Sequence, residues 1–374
     1  MRATVIGLVC ATIFFSWGNA AEDPQQQQID MAVEALTRIE ITNLEERPAV
    51  KAAVARVLEK TRGTPNFAKL VRHFKLTNEN SGLIEVAINH PDDESGVEAM
   101  RLVLAGHDLS PIDQALQTTN LANAVRLVKA LGNAREKQIV PMLAPLVGDE
   151  QRNIEIRRAA VQALAQTQDG AAALLDMARR DKLPENLKFI AASELNSARW
   201  PGVKAEAAKI LPLPAGQNSQ PLPPVSELIK MHGNAANGAD VFRRETTGCI
   251  KCHQVRGEGR EVGPALTEIG TKLPKEALIE AILDPSAGIS FGFEAWQVQL
   301  KSGDEAYGIK ASETADELAI KDINGIVTRY KKSEIAGIQQ TKTSIMPAGL
   351  QQTMTTQEFV DLVEYLSSLK KAQP

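Results

Sequence analysis

Five consecutive residues, Cys249-Ile250-Lys251-Cys252-His253, constrain this chain more than any other feature. Cys-x-x-Cys-His is the attachment sequence of c-type haem. Each thiol adds to one vinyl group of the porphyrin. The two intervening residues set the sulfurs at the vinyl separation, and the adjacent His253 falls under the iron as proximal ligand. The second ring nitrogen then needs an acceptor to fix the imidazole. Three other readings explain less. A disulfide between Cys249 and Cys252 leaves His253 without a role. A thioredoxin-like pair sits beside a βαβ pattern, which the sequence lacks. A zinc site needs two more close ligands, and the third cysteine, Cys10, lies in the N-terminal leader.

That leader, residues 1–20, reads as a secretory signal. Arg2 supplies the positive start, Thr4 to Trp17 is uncharged and mostly apolar, and Gly18-Asn19-Ala20 offers small residues for cleavage. The apolar stretch is shorter than the ~20 residues a membrane span requires, and no later segment is apolar enough to span. The mature protein is therefore expected to be periplasmic or otherwise exported, without an integral span. Export agrees with the motif, because c-type haem is attached outside the bacterial cytoplasm. A formal charge of −4 argues against nucleic acid as a partner. Aromatic residues make up only 4% of the chain, and Ala, Leu, Val and Ile dominate its apolar content. Helices packed through small residues fit that composition better than a large β-sandwich.

The fold class expected is mostly α, in two parts. Residues 29–211 read as helix throughout, with apolar positions at helical spacing from Met31 to Ile39 and from Val50 to Leu58. Ala124-Val125-Arg126-Leu127-Val128 resembles Ala160-Val161-Gln162-Ala163-Leu164, 36 residues on (125 to 161), and a further copy begins near Ile190. Such repetition suggests a HEAT-like α-solenoid or a less regular helical domain. His73, His90 and His107 lack ligand spacing, and Trp200 reads as a packing residue between helices. Residues 212–225 form a linker: Pro212, Pro214, Pro221, Pro223 and Pro224 make it extended and semi-rigid. Residues 226–374 carry the chemistry.

The flanks of the motif extend the reading. Gly238 to Phe242 suits a short helix, Gly263-Pro264-Ala265-Leu266 a turn, and Thr355-Thr356-Gln357-Glu358 a capping box. The helix opened by that box carries Phe359, Val363 and Leu366 on one stripe. This arrangement resembles a class I cytochrome c. The whole region from Ser226 is similar to the planctomycete-type haem-binding domain family, in which such a cytochrome follows HEAT-like helices or a dehydrogenase propeller. Asp284-Pro285-Ser286 and Ser344-Ile345-Met346-Pro347-Ala348-Gly349-Leu350 also carry the resemblance. It implies one covalent haem c, a Pro264 carbonyl that accepts the His253 ring N–H, Leu266 packed on the porphyrin, and crossed first and last helices. It also implies electron exchange with a redox protein, such as a periplasmic dehydrogenase acting on sugars or alcohols.

Class I cytochromes close the iron with a methionine from a loop before the last helix, and Met346 holds that position. Met354 is its rival; Met231 and His232 are weaker candidates. From His253 to Met346 the chain runs 93 residues (253 to 346), more than a minimal class I cytochrome uses. The excess reads as β. Trp296-Val298-Leu300 alternate with polar residues, Ser302-Gly303-Asp304 turns the chain, and Asn324-Gly325 signals a hairpin. A β-unit of three or four strands is expected over residues 293–338. Trp296 and Tyr330 are expected to fill its core. The function expected is electron transfer by a His/Met-ligated monohaem cytochrome, with the helical part as scaffold or docking surface. An open-iron, peroxidase-like enzyme and a haem sensor or binding protein are the alternatives.

Overall fold

A computed structural model describes residues 24–40, 44–106, 108–212, 222–244 and 247–371. The secretory leader, His107 and most of the proline-rich linker lie outside the described residues. The chain is mostly helical, with a small antiparallel sheet. Among the described residues no helix is long and apolar enough to cross a membrane.

The first two helices, α1 (Pro24–Thr37) and α2 (Pro48–Thr61), form one compact unit that ends at Thr61. They bury Val33, Leu36, Val54 and Leu58.

A second unit begins at Arg62. Its helical portion comprises α3 (Pro65–Phe74), α4 (Asn80–Asn89), α5 (Glu94–Leu104), α6 (Ser110–Leu116), α7 (Leu121–Ala134), α8 (Val140–Gly148), α9 (Ile154–Leu164), α10 (Gln168–Arg179), α11 (Glu185–Asn196) and α12 (Pro201–Ile210). The starts follow from local chemistry. Asp93, Asn120, Asn153 and Thr167 each accept a backbone N–H at the head of their helix. Proline opens α3 and α12, where its missing N–H costs nothing. The helices stack in two rows: α4, α7, α9 and α11 adjoin in turn, and α8, α10 and α12 form the other row. The three loosely repeated segments, at Val125, Val161 and Ile190, fall on α7, α9 and α11, successive members of one row. Small side chains permit this stacking, and α7 buries Ala124, Ala130 and Ala134 beside Leu127 and Leu131.

Beyond the linker come α13 (Val225–Leu228), α14 (Ala235–Arg243), the single turn α15 (Cys249–Cys252), a two-stranded ribbon of β1 (Gln254–Val255) and β2 (Glu258–Gly259), α16 (Ile269–Lys272) and α17 (Lys275–Leu283). The last helix, α18 (Thr356–Ser368), crosses α14. Its capping box is formed: Thr355 Oγ1 accepts the Glu358 N–H while Glu358 accepts the Thr355 N–H. Phe359, Leu362, Val363 and Leu366 are buried on α18, against Val241 and Phe242 of α14 and Leu278 and Ile279 of α17. Phe359 is fully buried, a contribution of ~2–3 kcal/mol on its own.

Between α17 and α18 lies a sheet of β3 (Ala295–Leu300), β4 (Glu305–Glu313), β5 (Glu317–Lys321), β6 (Val327–Lys331) and β7 (Ile335–Gln340), in the order β6-β5-β4-β3-β7. It has five strands rather than the expected three or four, and reaches Gln340 rather than Ile338. The extra strand, β7, returns to pair with the free edge of β3. It is an edge strand with no buried residue, and Ile338 is exposed, so it lacks the strong apolar alternation that betrays a strand in sequence. Val298, Ala306, Leu318, Ile320 and Tyr330 form the core of the sheet, with Trp296 packed against it.

The sheet is fastened to the helices. Arg101 Nη2 donates to the Tyr330 hydroxyl at 3.1 Å, Arg199 pairs with Glu305 at 3.2 Å, and Arg329 pairs with Glu94. Helices from α3 onward therefore belong to one compact unit with everything after the proline-rich segment. The compact units divide at Thr61. Sequence alone could not reveal how the sheet is fastened to the helices, because the joining groups come from an inserted sheet far along the chain.

Candidate functional site

The motif occupies one short turn. Gly248, at φ +72°, ends the approach from α14, and α15 follows from Cys249 to Cys252. Val262 and Gly263 then return beneath it, both donating their N–H to the Cys252 carbonyl, at 2.9 and 2.7 Å. Leu266 donates its N–H to Gln254 at 2.8 Å. This loop brings Pro264 to His253, whose Nδ1 lies 2.8 Å from the Pro264 carbonyl oxygen. That oxygen accepts, so Nδ1 carries the proton and the Nε2 lone pair is left open. Gly263 packs flat against the ring: a Cβ there would stand 2.5 Å from His253 Cε1.

Burial lowers the His253 pKa, with the Pro264 hydrogen bond opposing, so the ring is held neutral. Burial also raises the pKa of both thiols, more than the Thr247 hydroxyl lowers that of Cys249. Protonated thiols are poor attacking groups for disulfide exchange, which weakens the thioredoxin-like reading. Both cysteines are free, with no bond between them. Among the described residues no three His, Cys, Asp or Glu side chains gather as a metal-ion site.

Cys249, Ile250 and Leu266 pack against the core shared by α14, α17 and α18. The methionine and histidine candidates named from the sequence separate by environment. Met354 is 3% exposed within that same core, committed to packing. Met231 packs at its margin. His232 is exposed, and its carbonyl accepts from Gln357 Nε2 at 3.1 Å. Met346 stands apart from the core, half-buried in the loop before α18. Its N–H donates to Ser344 Oγ at 3.1 Å, and Ser344 N–H donates to Ser286 Oγ at 3.1 Å, tying this loop to the Asp284-Pro285-Ser286 turn.

A further set of residues at the site was not legible in the sequence. The turn between β5 and β6 lies over the motif. The Ile323 carbonyl oxygen is 4.0 Å from Cys252 Sγ, Arg260 Nη1 donates to the Asn324 carbonyl at 2.7 Å, and Lys321 Nζ donates to the Glu261 carbonyl at 3.0 Å. The same turn is bound to the helices. Asp322 pairs with Arg135 at 2.9 Å, both side chains nearly buried, and Asn324 Nδ2 reaches Asn133 Oδ1 at 3.3 Å and Gln166 Oε1 at 3.4 Å. Asn324-Gly325 announces a hairpin, but no local signal says where its tip lands.

No protein-family model matches the chain, and no curated protein proves similar to it.

Proposed function

We propose that this chain is an exported monohaem c-type cytochrome that carries electrons by outer-sphere transfer. Haem c would be held covalently by Cys249 and Cys252, with His253 and Met346 as axial ligands and Leu266 against the porphyrin. The observation that carries the reading is the arrangement of His253: a neutral imidazole, fixed through Nδ1 by Pro264, with Nε2 open and two free, protonated thiols on the turn just before it. This donor set fits an iron porphyrin joined by thioethers. Each S–H would add across a vinyl C=C, so attachment would need no external oxidant. When bound, the group supplies a one-electron Fe(III)/Fe(II) couple.

The chain's own residues do the rest. Pro264 sets the tautomer and orientation of the proximal ring. The α14–α18 crossing provides a rigid wall for Cys249 and Leu266. A thioether sixth ligand from Met346 would favour the ferrous state and leave no open iron position, which suits transfer rather than catalysis. The two-row helical stack, read as HEAT-like, would act as scaffold or docking surface. The crossed terminal helices and the Gly263-Pro264-Ala265-Leu266 turn support membership of the planctomycete-type haem-binding family. The electron donor would be a redox protein such as a periplasmic dehydrogenase.

Absorption spectra of oxidised and reduced protein, produced in a host that matures c-type haem, test this. The expected result is covalent haem, low-spin, with a far-red ferric Met–iron band that disappears in Met346→Ala. A high-spin spectrum that shifts with carbon monoxide or peroxide would favour an open-iron enzyme or sensor. No covalent haem would end the cytochrome reading.

A further inference from the structure

A cleft of about 100 Å³ lies where the helices meet the sheet, lined by Arg135, Lys137, Thr167, Arg199, Trp200 and Glu305 among others. One ordered water needs only ~10–15 Å³ by the same measure, so the cleft has room for a molecule of several heavy atoms. Two N–H groups of its lining residues, Arg135 Nε and Trp200 Nε1, are buried without an acceptor. Left so, each costs about 1–3 kcal/mol.

Three cations, Arg135, Lys137 and Arg199, line the cleft beside them. Arg135 engages Asp322 through Nη2 only, which leaves Nε unused. Arg199 stands over Trp200 and over Tyr307, its carbon centre 4.6 and 4.9 Å from their rings. Burial and then the nearby Arg135 charge lower the Arg199 pKa, the mark of two cations held close together. Helix α10 opens at the cleft through its cap, Thr167, so its partly positive end adds to the field.

The carboxylates nearby are already occupied or outside. Glu305 accepts from Arg199 and from Gln297 Nε2 at 3.3 Å. Asp304 accepts from the Ser302 hydroxyl at 2.8 Å. Asp169 is exposed in the first turn of α10. The buried polar atoms of the cleft residues that lack partners are thus donors alone. Their complement is a ligand rich in acceptors and negatively charged.

We propose that this cleft binds a small oxyanion, a carboxylate or a phosphate, through Arg135 Nε and Trp200 Nε1 beside the Arg199 guanidinium. The site is independent of haem. A ligand there touches both the helices, through Arg135 and Trp200, and the sheet, through Gly303 of the β3–β4 turn and Glu305 at the start of β4. Binding therefore stiffens the junction from which the β5–β6 turn reaches the Cys252 segment.

Calorimetric titration of the full exported chain with sodium phosphate and with sodium succinate, against chloride at equal ionic strength, tests the proposal. One saturable site per chain is expected, with a raised unfolding temperature. Trp200→Phe keeps an aromatic face for Arg199 but removes the indole donor. Arg135→Lys keeps a charge for Asp322 but removes Nε–H. Each should weaken binding about tenfold or more, and Trp200→Phe, which leaves the Arg135–Asp322 pair intact, should also leave the absorption spectrum unchanged. A response to phosphate alone, or to succinate alone, would identify which oxyanion the site takes. No saturable binding of either up to about 10 mM, or unchanged affinity in both variants, would overturn the proposal.

Discussion

At the scale of single residues, the site depends on how closely the backbone approaches the His253 ring. Gly263 touches the ring face, and Pro264 holds Nδ1 from the next position. Gly263→Ala would place a methyl group 2.5 Å from Cε1, well inside van der Waals contact. The ring would have to rotate away, losing the 2.8 Å hydrogen bond. The expected cost is about 1–3 kcal/mol, and in the proposed cytochrome the iron–imidazole bond would weaken as well. Thermal unfolding and the reduced absorption spectrum read the two effects separately. An unshifted spectrum with unchanged stability would show that the ring does not rest on this glycine. The same scale explains why Met346 outranks Met354 as a candidate: one sits in a loop outside the core, the other is sealed inside it.

At the scale of elements, the crossing of α14 and α18 organises the C-terminal region. Gly238 meets α18 so closely that a Cβ would lie 2.0 Å from the Asp361 carbonyl oxygen. Asp361 is 4% exposed, and its side chain accepts the Asn234 N–H at 2.8 Å and Gln357 Nε2 at 2.9 Å. Phe242 and Tyr365 stack aslant beside the crossing, ring centres 5.8 Å apart. In an open helix Gly→Ala is stabilising by about 0.5–1 kcal/mol. Here the backbone of a packed helix must move, so Gly238→Ala is expected to destabilise by about 2 kcal/mol. Gly202→Ala, on α12 with nothing within 4 Å of the added methyl, should be neutral or mildly stabilising. Denaturant midpoints of the two variants decide the matter, and equal effects would mean that the crossing tolerates a wider separation.

At the scale of the whole molecule, the junction of helices and sheet holds a proton-sensitive group. Burial pushes the Glu136 carboxyl up to about 7, and Asp304 across from it adds to the rise; Arg101, 3.5 Å away, and Lys137 oppose it. Tyr330 completes the cluster by accepting from Arg101. Because the folded value is raised above the ordinary 4.5, the folded chain keeps this proton where the unfolded chain has lost it. The resulting stabilisation is full below about pH 4.5 and is lost as pH rises through about 7. Glu136→Gln should remove that slope and leave the variant more stable than wild type at pH 8, by on the order of 2 kcal/mol. Chemical denaturation at pH 5 and pH 8 measures it. Parallel pH profiles for the two proteins would exclude Glu136 as the titrating group.

Much of this architecture is written locally. The helices of the first half follow from apolar spacing and small residues, and their starts from Asp93, Asn120, Asn153 and Thr167. The Thr355–Glu358 box and the Asn324-Gly325 turn are likewise short-range, since capping and turn geometry involve neighbours only. The Cys-x-x-Cys-His stretch and its Gly-Pro turn name the candidate site for the same reason. Three features escaped local reading. The strand β7 has an exposed edge pattern and exists only because β3 offers it a partner. The closeness of Gly238 to Asp361 and of Gly263 to His253 depends on contacts that tertiary packing creates. The β5–β6 turn, placed between Cys252 on one side and Asn133, Arg135 and Gln166 on the other, joins groups far apart in the chain. Secondary structure and the Cys-x-x-Cys-His motif act over a few residues and can be read along the chain. The grip of the helices on the Cys252 segment acts across space, and only folding brings its residues together.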